Sequence, residues 1–391
     1  MRKGGPMKHK ILYLMEFPID LPGGGQMSTQ TLCEGLSQTE FEPVVVCPRL
    51  LTKTQADFPF RVVEYSSDHN RERSKFRRII NFFRRIGSFY RIIRSEKPQL
   101  IHVSMSESLI TFGFLRCIGL FSTIPFVYTD RGLFYGYRSH SRTCIMHTLK
   151  HASGMICTTQ YNKNLWAAAG VPCKVTVIPN TIGKVFEEFE EGKREKQRKK
   201  YGISEEDFVV GFAGRISEEK DWPFVQTLVS ALKSSGLRFK VALVLSVYEA
   251  QDARLAEDVK NGIIKNIGEE NLIYMQDLSQ AQIADYYYLV DVFVMTSMFE
   301  SFGKAAVEAM SRKCAVVSTS VGGLTEVIEK EENLYTKENL QKFTARMHVL
   351  FDDRTELDCN REFFYRRYLD HYTKEVHIER HCSLYSGLLE S

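Results

Sequence analysis

The sequence predicts an α/β protein of two doubly wound domains, each a parallel sheet wrapped by helices. Three observations predict it. Short apolar, β-branched runs alternate with helical patterns along the whole chain. At 391 residues the chain is too long for one ordinary domain and suits two, each of roughly 170–190 residues. Its charge also changes midway: residues 1–180 hold 24 Lys and Arg against 12 Asp and Glu, a balance of +12, while the remainder holds 28 against 36, a balance of −8. A basic first half calls for a partner of negative charge.

In the first half the expected strands are Lys10–Leu14, Val44–Cys47, Arg61–Tyr65, Leu100–Val103, Pro125–Thr129, Gly154–Cys157 and Val175–Ile178. The second half offers Phe208–Ala213, Lys240–Leu245, Leu272–Tyr274, Val292–Met295 and Ala315–Ser318. The apolar segment from Leu109 to Tyr128 is interrupted by Arg116 and Pro125. It falls short of the unbroken span of about 20 apolar residues that a bilayer requires, and it predicts a buried helix followed by a core strand. The domains are expected at 7–181 and 182–365, with 366–391 a terminal helix that alternates aromatic and charged residues. The charged stretch Glu187–Lys200 is expected to begin the surface of the second domain. Met1–Pro6 has the character of a short leader without secretory features, and Met7 that of a more natural start. The nine cysteines are scattered and lack a Cys-x-x-Cys pair, which predicts reduced thiols in a cytosolic compartment, most of them buried, with no metal and no disulfide framework.

The segment with most chemistry is Phe299-Glu300-Ser301-Phe302-Gly303-Lys304-Ala305-Ala306-Val307-Glu308. An apolar strand precedes it and a helical run opens at Gly303, so its N–H groups and helix dipole make an anion site. A glutamate ahead of that site and another beyond it can each reach a neutral polyol, and a diphosphate flanked by sugars describes a nucleotide-sugar. The simpler reading of both glutamates is a favourable interaction with the dipole. A hydrolase would hold its two carboxylates roughly 5–10 Å apart. Eight residues of helix would separate the two Cα atoms by about 12 Å, on different faces, which suits two ends of one long ligand better. Upstream, Gly214 and Arg215 end a strand and Lys220 follows five residues later, so two cations can converge on a diphosphate or simply be solvated. Gly23, Gly24 and Gly25 remove side chains from a strand-to-helix turn, where backbone can approach phosphate or sugar, or where the chain merely turns.

These features resemble glycosyltransferase family 4. Glu300 and Glu308 fall at its two glutamate positions, Gly214-Arg215 with Lys220 resembles its strand-end pair, Val177-Ile178-Pro179-Asn180-Thr181 its domain junction, and Pro22-Gly23-Gly24-Gly25 its first loop. They occur in the family's order over most of the chain. The resemblance implies a GT-B fold with a cleft between two Rossmann-like domains, and retaining transfer from a nucleotide-sugar, with a UDP-sugar the expected donor and no cofactor. It implies that Arg215 and Lys220 clamp the diphosphate and that Glu308 binds the ribose. Glu300 would hold the donor sugar, and the N–H groups of Phe302, Gly303 and Lys304 would lie against donor oxygens. His102 matches a strand-end histidine of the family, although a lone histidine is as readily structural. Where many relatives carry a histidine near the reaction centre this chain has Tyr128-Thr129-Asp130-Arg131-Gly132, so that role is not carried over, and Asp130 and Arg131 are the candidates to contribute a backbone carbonyl or a charge instead. No Asp-x-Asp occurs in the chain, in keeping with a metal-independent enzyme. A nucleotide-sugar epimerase of the same architecture, or a non-catalytic scaffold, are the alternatives.

Residues 71–97 carry ten Lys and Arg against Glu72 and Glu96, a balance of +8. Phe76, Ile79, Ile80, Phe83, Ile86, Tyr90 and Ile93 recur at helical spacing as a core face, and Phe82, Phe89 and Ile92 lie off it. A plain surface helix, a nucleic-acid groove and an anionic membrane surface all fit the charge. The off-face apolar residues favour the membrane and argue against nucleic acid. The expected setting is cytoplasmic, peripheral to the inner face of the membrane, with a glycan or lipid-linked acceptor of cell-envelope or exopolysaccharide synthesis.

Overall fold

A computed structural model describes residues 8–21, 23–66, 75–132, 134–247 and 250–390, with the side chains of 75–78, 250 and 251 left out. The leader, Met7, Pro22, residues 71–74 and Ser391 lie outside the described residues. The chain forms two compact units: one joins the segment ending at Thr181 to that beginning at Lys374, and the other is Ile182–Thr373.

The first unit runs β1 (His9–Leu14), α1 (Gly24–Leu36), β2 (Phe41–Pro48), β3 (Arg61–Tyr65), α2 (Lys75–Glu96), β4 (Leu100–Val103), α3 (Ser106–Cys117), β5 (Phe126–Asp130), α4 (Ser139–Leu149), β6 (Gly154–Cys157), α5 (Gln160–Ala168) and β7 (Val175–Val177). Its seven parallel strands lie in the order β3-β2-β1-β4-β5-β6-β7. Side chains of a strand alternate between faces, so each apolar run feeds two cores. Leu12, Leu14, Ile101 and Val103 pack on one side, with Phe89 of α2 and Phe112 of α3. Ile11, Tyr13 and Leu100 pack on the other. The segment expected to be a buried helix and a core strand becomes α3 and β5, and Arg116 folds the turn between them by donating to the carbonyls of Phe121 and Ile124.

The second unit runs α6 (Lys193–Lys200), β8 (Val209–Arg215), α7 (Trp222–Ser234), β9 (Lys240–Ser246), α8 (Ala250–Ile267), β10 (Leu272–Gln276), α9 (Gln280–Tyr287), β11 (Val292–Met295), α10 (Lys304–Met310), β12 (Ala315–Thr319), α11 (Leu324–Ile328), β13 (Leu334–Tyr335), α12 (Leu340–Asp352) and α13 (Arg354–His371). Its parallel sheet has the order β10-β9-β8-β11-β12-β13. Alternation again splits the strands: Val292 and Val294 enter one core, Phe293 and Met295 the other. The expected two doubly wound domains are therefore both present. Only the two-residue β13 has no counterpart among the expected strands.

The last helix, α14 (Lys374–Glu390), belongs to the first unit. It begins eight residues after the expected position 366, because α13 continues to His371 against β12 and α10. Gly35 makes room for α14 on α1: a Cβ there would fall 1.9 Å from Cδ1 of Ile378. Tyr385 is fully buried, with its hydroxyl 2.7 Å from that of Tyr13 and 2.6 Å from Nδ1 of His102.

Three expectations need correction. The charged stretch Glu187–Lys200 is more than surface, since Arg194 and Arg198 reach buried Asp291 at 2.7 and 2.9 Å. Arg361 joins them, and Val209 N–H donates to the same carboxylate at 2.8 Å. Burial alone would raise the Asp291 carboxyl, but the three arginines outweigh it and hold it below the usual range. Of the nine cysteines, four are buried, two half-buried and three exposed, because the pattern of scattered thiols carries no information about faces. On α2 the faces differ from those expected: Phe89 is fully buried against Tyr65, while Ile79 and Phe83 are 55% and 58% exposed. The helix meets the sheet with its C-terminal half, so its apolar stripe runs out of core towards the N-terminus.

Candidate functional site

In the second sheet the chain order reverses between β8 and β11, and ligands of open α/β sheets bind beyond the strand ends at such a switch point. Arg215 is the last residue of β8. A Cβ on Gly214 would meet the Trp222 ring at 3.4 Å and the Lys220 chain at 3.9 Å, so glycine keeps the strand end open. Trp222 Nε1 donates to the Arg215 carbonyl at 2.9 Å. Lys220 ends a short 3-10 turn, Glu218–Lys220, and its Nζ donates to Glu300 Oε2 at 2.7 Å. Both side chains are about one-fifth exposed, at 20% and 19%. The loops after β8 and β11 are stitched together by Thr296 Oγ1 donating to the Lys220 carbonyl at 2.6 Å and Met298 N–H to the Glu219 carbonyl at 2.9 Å. Arg215 pairs instead with Glu219, at 2.5 Å, and is 59% exposed.

Glu300 lies in the loop after β11; the helix α10 comprises only Lys304–Met310. The separation of about 12 Å along eight residues of continuous helix therefore does not apply, because Gly303 turns the chain at φ +91° before the helix starts. A Cβ on Gly303 would also strike Leu324 Cδ2 at 2.4 Å. Phe302 is buried with its ring edge-on to Tyr372 at 5.6 Å, so its side chain anchors the loop. Gly322 and Gly323 hold the Glu300 backbone: Gly323 N–H donates to its carbonyl at 2.9 Å. Gly322 sits at φ +52°, where a Cβ would fall 2.2 Å from that same oxygen. Sequence reasoning missed this support, although paired glycines in the loop that follows the expected strand Ala315–Ser318 were a signal. Glu308 accepts from the Tyr287 hydroxyl at 3.2 Å. Burial pushes its carboxyl up to about 7, against the downward pull of the Lys304 ammonium, the Tyr287 hydrogen bond and the Lys220 ammonium. Lys220 thus pairs with Glu300 while its charge also acts on Glu308.

In the first unit the order reverses between β1 and β4. Gly24 and Gly25 open α1, and Gly23 precedes it in extended backbone. A Cβ on Gly25 would lie 3.3 Å from Cδ of Arg131, so the glycine run admits this arginine beside the helix. Arg131 Nη1 donates to Asn180 Oδ1 at 2.6 Å and Nη2 to Thr29 Oγ1 at 3.3 Å. Burial pulls its guanidinium down to about 10. Asp130 turns into the core, accepting from Trp166 Nε1 at 2.7 Å and from the Tyr137 and Tyr128 hydroxyls. Burial raises its carboxyl despite those donors. His102 lies inside the core with Nε2 2.7 Å from Thr129 Oγ1 and Nδ1 on Tyr385, and burial drives its pKa well below the ordinary value. That geometry gives His102 a structural task.

Glu16 is the polar group here that sequence reasoning overlooked. It follows β1 and accepts from the N–H groups of Glu107 and Ser108 at 2.8 and 3.2 Å, at the start of α3. Burial and the Glu107 charge lift it to about 7, in spite of those two bonds and the Arg85 charge. A carboxylate two residues past an expected strand was the available signal.

Residues 22–183 match the model of Glycosyltransferase Family 4, and residues 193–362 match Glycosyl transferases group 1. The lipopolysaccharide 1,2-N-acetylglucosaminetransferase of Salmonella typhimurium is 28% identical over 43% of this chain and 43% of its own. The matched stretch spans less than half the length of this and similar curated relatives. Among solved structures, sucrose-phosphate synthase from Thermosynechococcus elongatus superimposes with a TM-score of 0.80 at 16% identity, over 98% of this chain and 100% of that one. HepE of Anabaena, in complex with UDP and glucose, superimposes with a TM-score of 0.76 at 17% identity, over 97% and 99%. The chain belongs to the family 4 group of glycosyltransferases and has their GT-B architecture of two Rossmann-like units.

Proposed function

We propose that this chain is a retaining, metal-independent glycosyltransferase that moves a sugar from a nucleotide-sugar, in the first instance a UDP-sugar, to a hydroxyl of a glycan or lipid-linked acceptor in cell-envelope or exopolysaccharide synthesis. The observation that carries it is the Lys220–Glu300 pair at the switch point of the second sheet, with Arg215 on the same strand end. Lys220 and Arg215 would take the diphosphate and stabilise the charge that grows on the leaving nucleotide. Glu300 would then exchange its lysine partner for donor-sugar hydroxyls, and Glu308 would hold the ribose. The N–H groups of Phe302, Gly303 and Lys304 would lie against donor oxygens. The chain has no Asp-x-Asp, and two side-chain cations do the work of a divalent one. Support for the donor comes from HepE, whose structures contain UDP, glucose and UDP-glucose, and for the acceptor class from the lipopolysaccharide transferase.

Among the described residues no helix is long and apolar enough to cross a membrane. The exposed Ile79 and Phe83 of α2, Phe114 of α3 and Ile118 just after it support peripheral binding instead, with Arg84, Arg91 and Arg94 exposed on α2 to meet anionic headgroups.

A thermal-shift screen of UDP-, GDP- and ADP-sugars on the wild type and Glu308→Ala tests the donor assignment. One donor is expected to stabilise the wild type and not the variant. No shift from any donor would overturn the assignment.

A further inference from the structure

Away from both switch points, three exposed side chains of the first unit come together: the thiol of Cys117 and the imidazoles of His147 and His151. One ligand atom from each lies within 4.8 Å of the others. His147 and His151 have the four-residue spacing of a metal-ligand pair, but Cys117 lies far before them in the chain and only the fold brings its thiol to their imidazoles. Helices α3 and α4 follow the neighbouring parallel strands β4 and β5 and pack along each other. Gly113 makes that packing close, since a Cβ there would fall 2.1 Å from Thr148 Oγ1. Cys117 stands one turn after Gly113, and His147 and His151 stand on either side of Thr148 in the chain.

We propose that Cys117, His147 and His151 bind a borderline-soft divalent transition metal, zinc foremost, with water in the fourth position. One thiolate and two imidazoles form a donor set that zinc favours over hard cations. Tetrahedral bonds of about 2.3 Å to sulfur and about 2.0–2.1 Å to nitrogen set the donor atoms about 3.3–3.6 Å apart. The exposed side chains reach that spacing by rotamer adjustments of about 1 Å. Both helices end here, and the negative ends of their dipoles favour a cation. The guanidinium of Arg116 opposes it; it is held in place by donating to the carbonyls of Phe121, Ile124 and His151, the last two at 3.2 Å, and the thiolate and the helix ends offset its charge. The site lies one helix length, about 17 Å, from the strand-end loops. Its metal clamps α3 to α4 and takes no part in sugar transfer.

The test uses the full chain, kept reduced, titrated with Zn²⁺ alone in a calorimeter and with Co²⁺ in a spectrophotometer. One equivalent of Zn²⁺ is expected to bind and raise Tm, and Co²⁺ to give a thiolate charge-transfer band with tetrahedral visible absorption. Cys117→Ser should abolish the band and the Tm shift. His147→Ala and His151→Ala should each weaken binding by more than the roughly 10–100-fold that loss of an outer-shell partner costs. All three side chains are exposed, so the variants fold. Absence of the cobalt band overturns the proposal. So does a band unchanged in Cys117→Ser, which would place the metal on another thiol such as exposed Cys144 or Cys359. Zinc affinity in the triple variant equal to that of the wild type also overturns it.

Discussion

Lys220 and Glu300 meet at 2.7 Å from loops that follow two different strands, β8 and β11, and stand 80 positions apart in the chain. The bond satisfies both charges and fixes each side chain, and under the proposed function it presents both to a diphosphate-sugar. On that proposal a donor would replace one partner for each, and a preorganised pair would make the exchange with little reorganisation.

Replacing Lys220 by Ala leaves Glu300 without its cation and, on the proposed function, removes a cation that would stabilise the leaving group. The expected loss is about 100–1,000-fold in kcat, with a smaller change in the KM for donor. Steady-state kinetics with the donor found by thermal shift decide it. A loss confined to KM would mean that Lys220 binds the ground state and transition state equally.

Gly322 tests the support under Glu300. Gly322→Ala puts a Cβ 2.2 Å from the Glu300 carbonyl and a side chain at φ +52°. A stability loss of about 1–3 kcal/mol is expected from the backbone alone, with donor affinity falling as Glu300 is displaced. Chemical denaturation and donor titration should move together. Unchanged donor affinity in a folded variant would separate Gly322 from the site.

Glu308 makes stability depend on pH in a defined direction. Its folded pKa, about 7, lies above the ordinary 4.5. The folded state therefore binds more protons in that window, and the contribution is fully present below 4.5 and lost as pH rises through 7. Glu308→Gln should thus gain stability relative to the wild type at pH 8 compared with pH 4.5. Equal differences in Tm at the two pH values would refute a raised carboxyl.

Acid should act on the first unit through His381. Burial, aided by the Arg131 charge, lowers it from 6.5 to about 4, although its Nδ1 donates to the His377 carbonyl at 2.8 Å. The unfolded chain binds the proton first, so stability is complete above 6.5 and declines as pH falls towards 4. The interval between 6.5 and about 4 is worth about 3 kcal/mol. His102 acts in the same direction. Denaturation midpoints at pH 7, 5.5 and 4.5 test this, and a His381→Gln variant should flatten the profile.

Membrane attachment is checked by flotation with anionic and neutral liposomes. The wild type should float with the anionic ones, and replacing Ile79, Phe83, Phe114 and Ile118 together by Ser should release it. Equal, negligible binding to both liposomes removes the membrane from the proposal.

The sheets were legible because their strands are unbroken apolar runs: Leu100–Val103, Gly154–Cys157 and Val292–Met295 are found at the expected residues. The places of Lys220, Glu300 and Glu308 in the fold, after a strand end and around a helix start, were legible because that spacing is local. What depends on approach from elsewhere in the chain was not. Gly322 matters through the Glu300 carbonyl, and Glu16 through the first turn of α3, which lies some 90 residues on. Helical periodicity placed Ile79 and Phe83 on one stripe with Ile93, yet could not tell where along α2 the core ends. His102 was ambiguous because its partner Tyr385 stands 283 residues away.

That partner is contributed by α14, which returns to the first unit after the whole of Ile182–Thr373 has been traversed. As the chain leaves the ribosome, the sheet bearing Tyr13 and His102 is made first and finished last. Until residue 385 emerges, one face of that sheet waits with its polar groups unmatched and its apolar side chains uncovered. The earliest-made half is therefore the one most dependent on the final turns of chain, and a synthesis halted near Thr373 would yield a completed second unit tethered to an unfinished first.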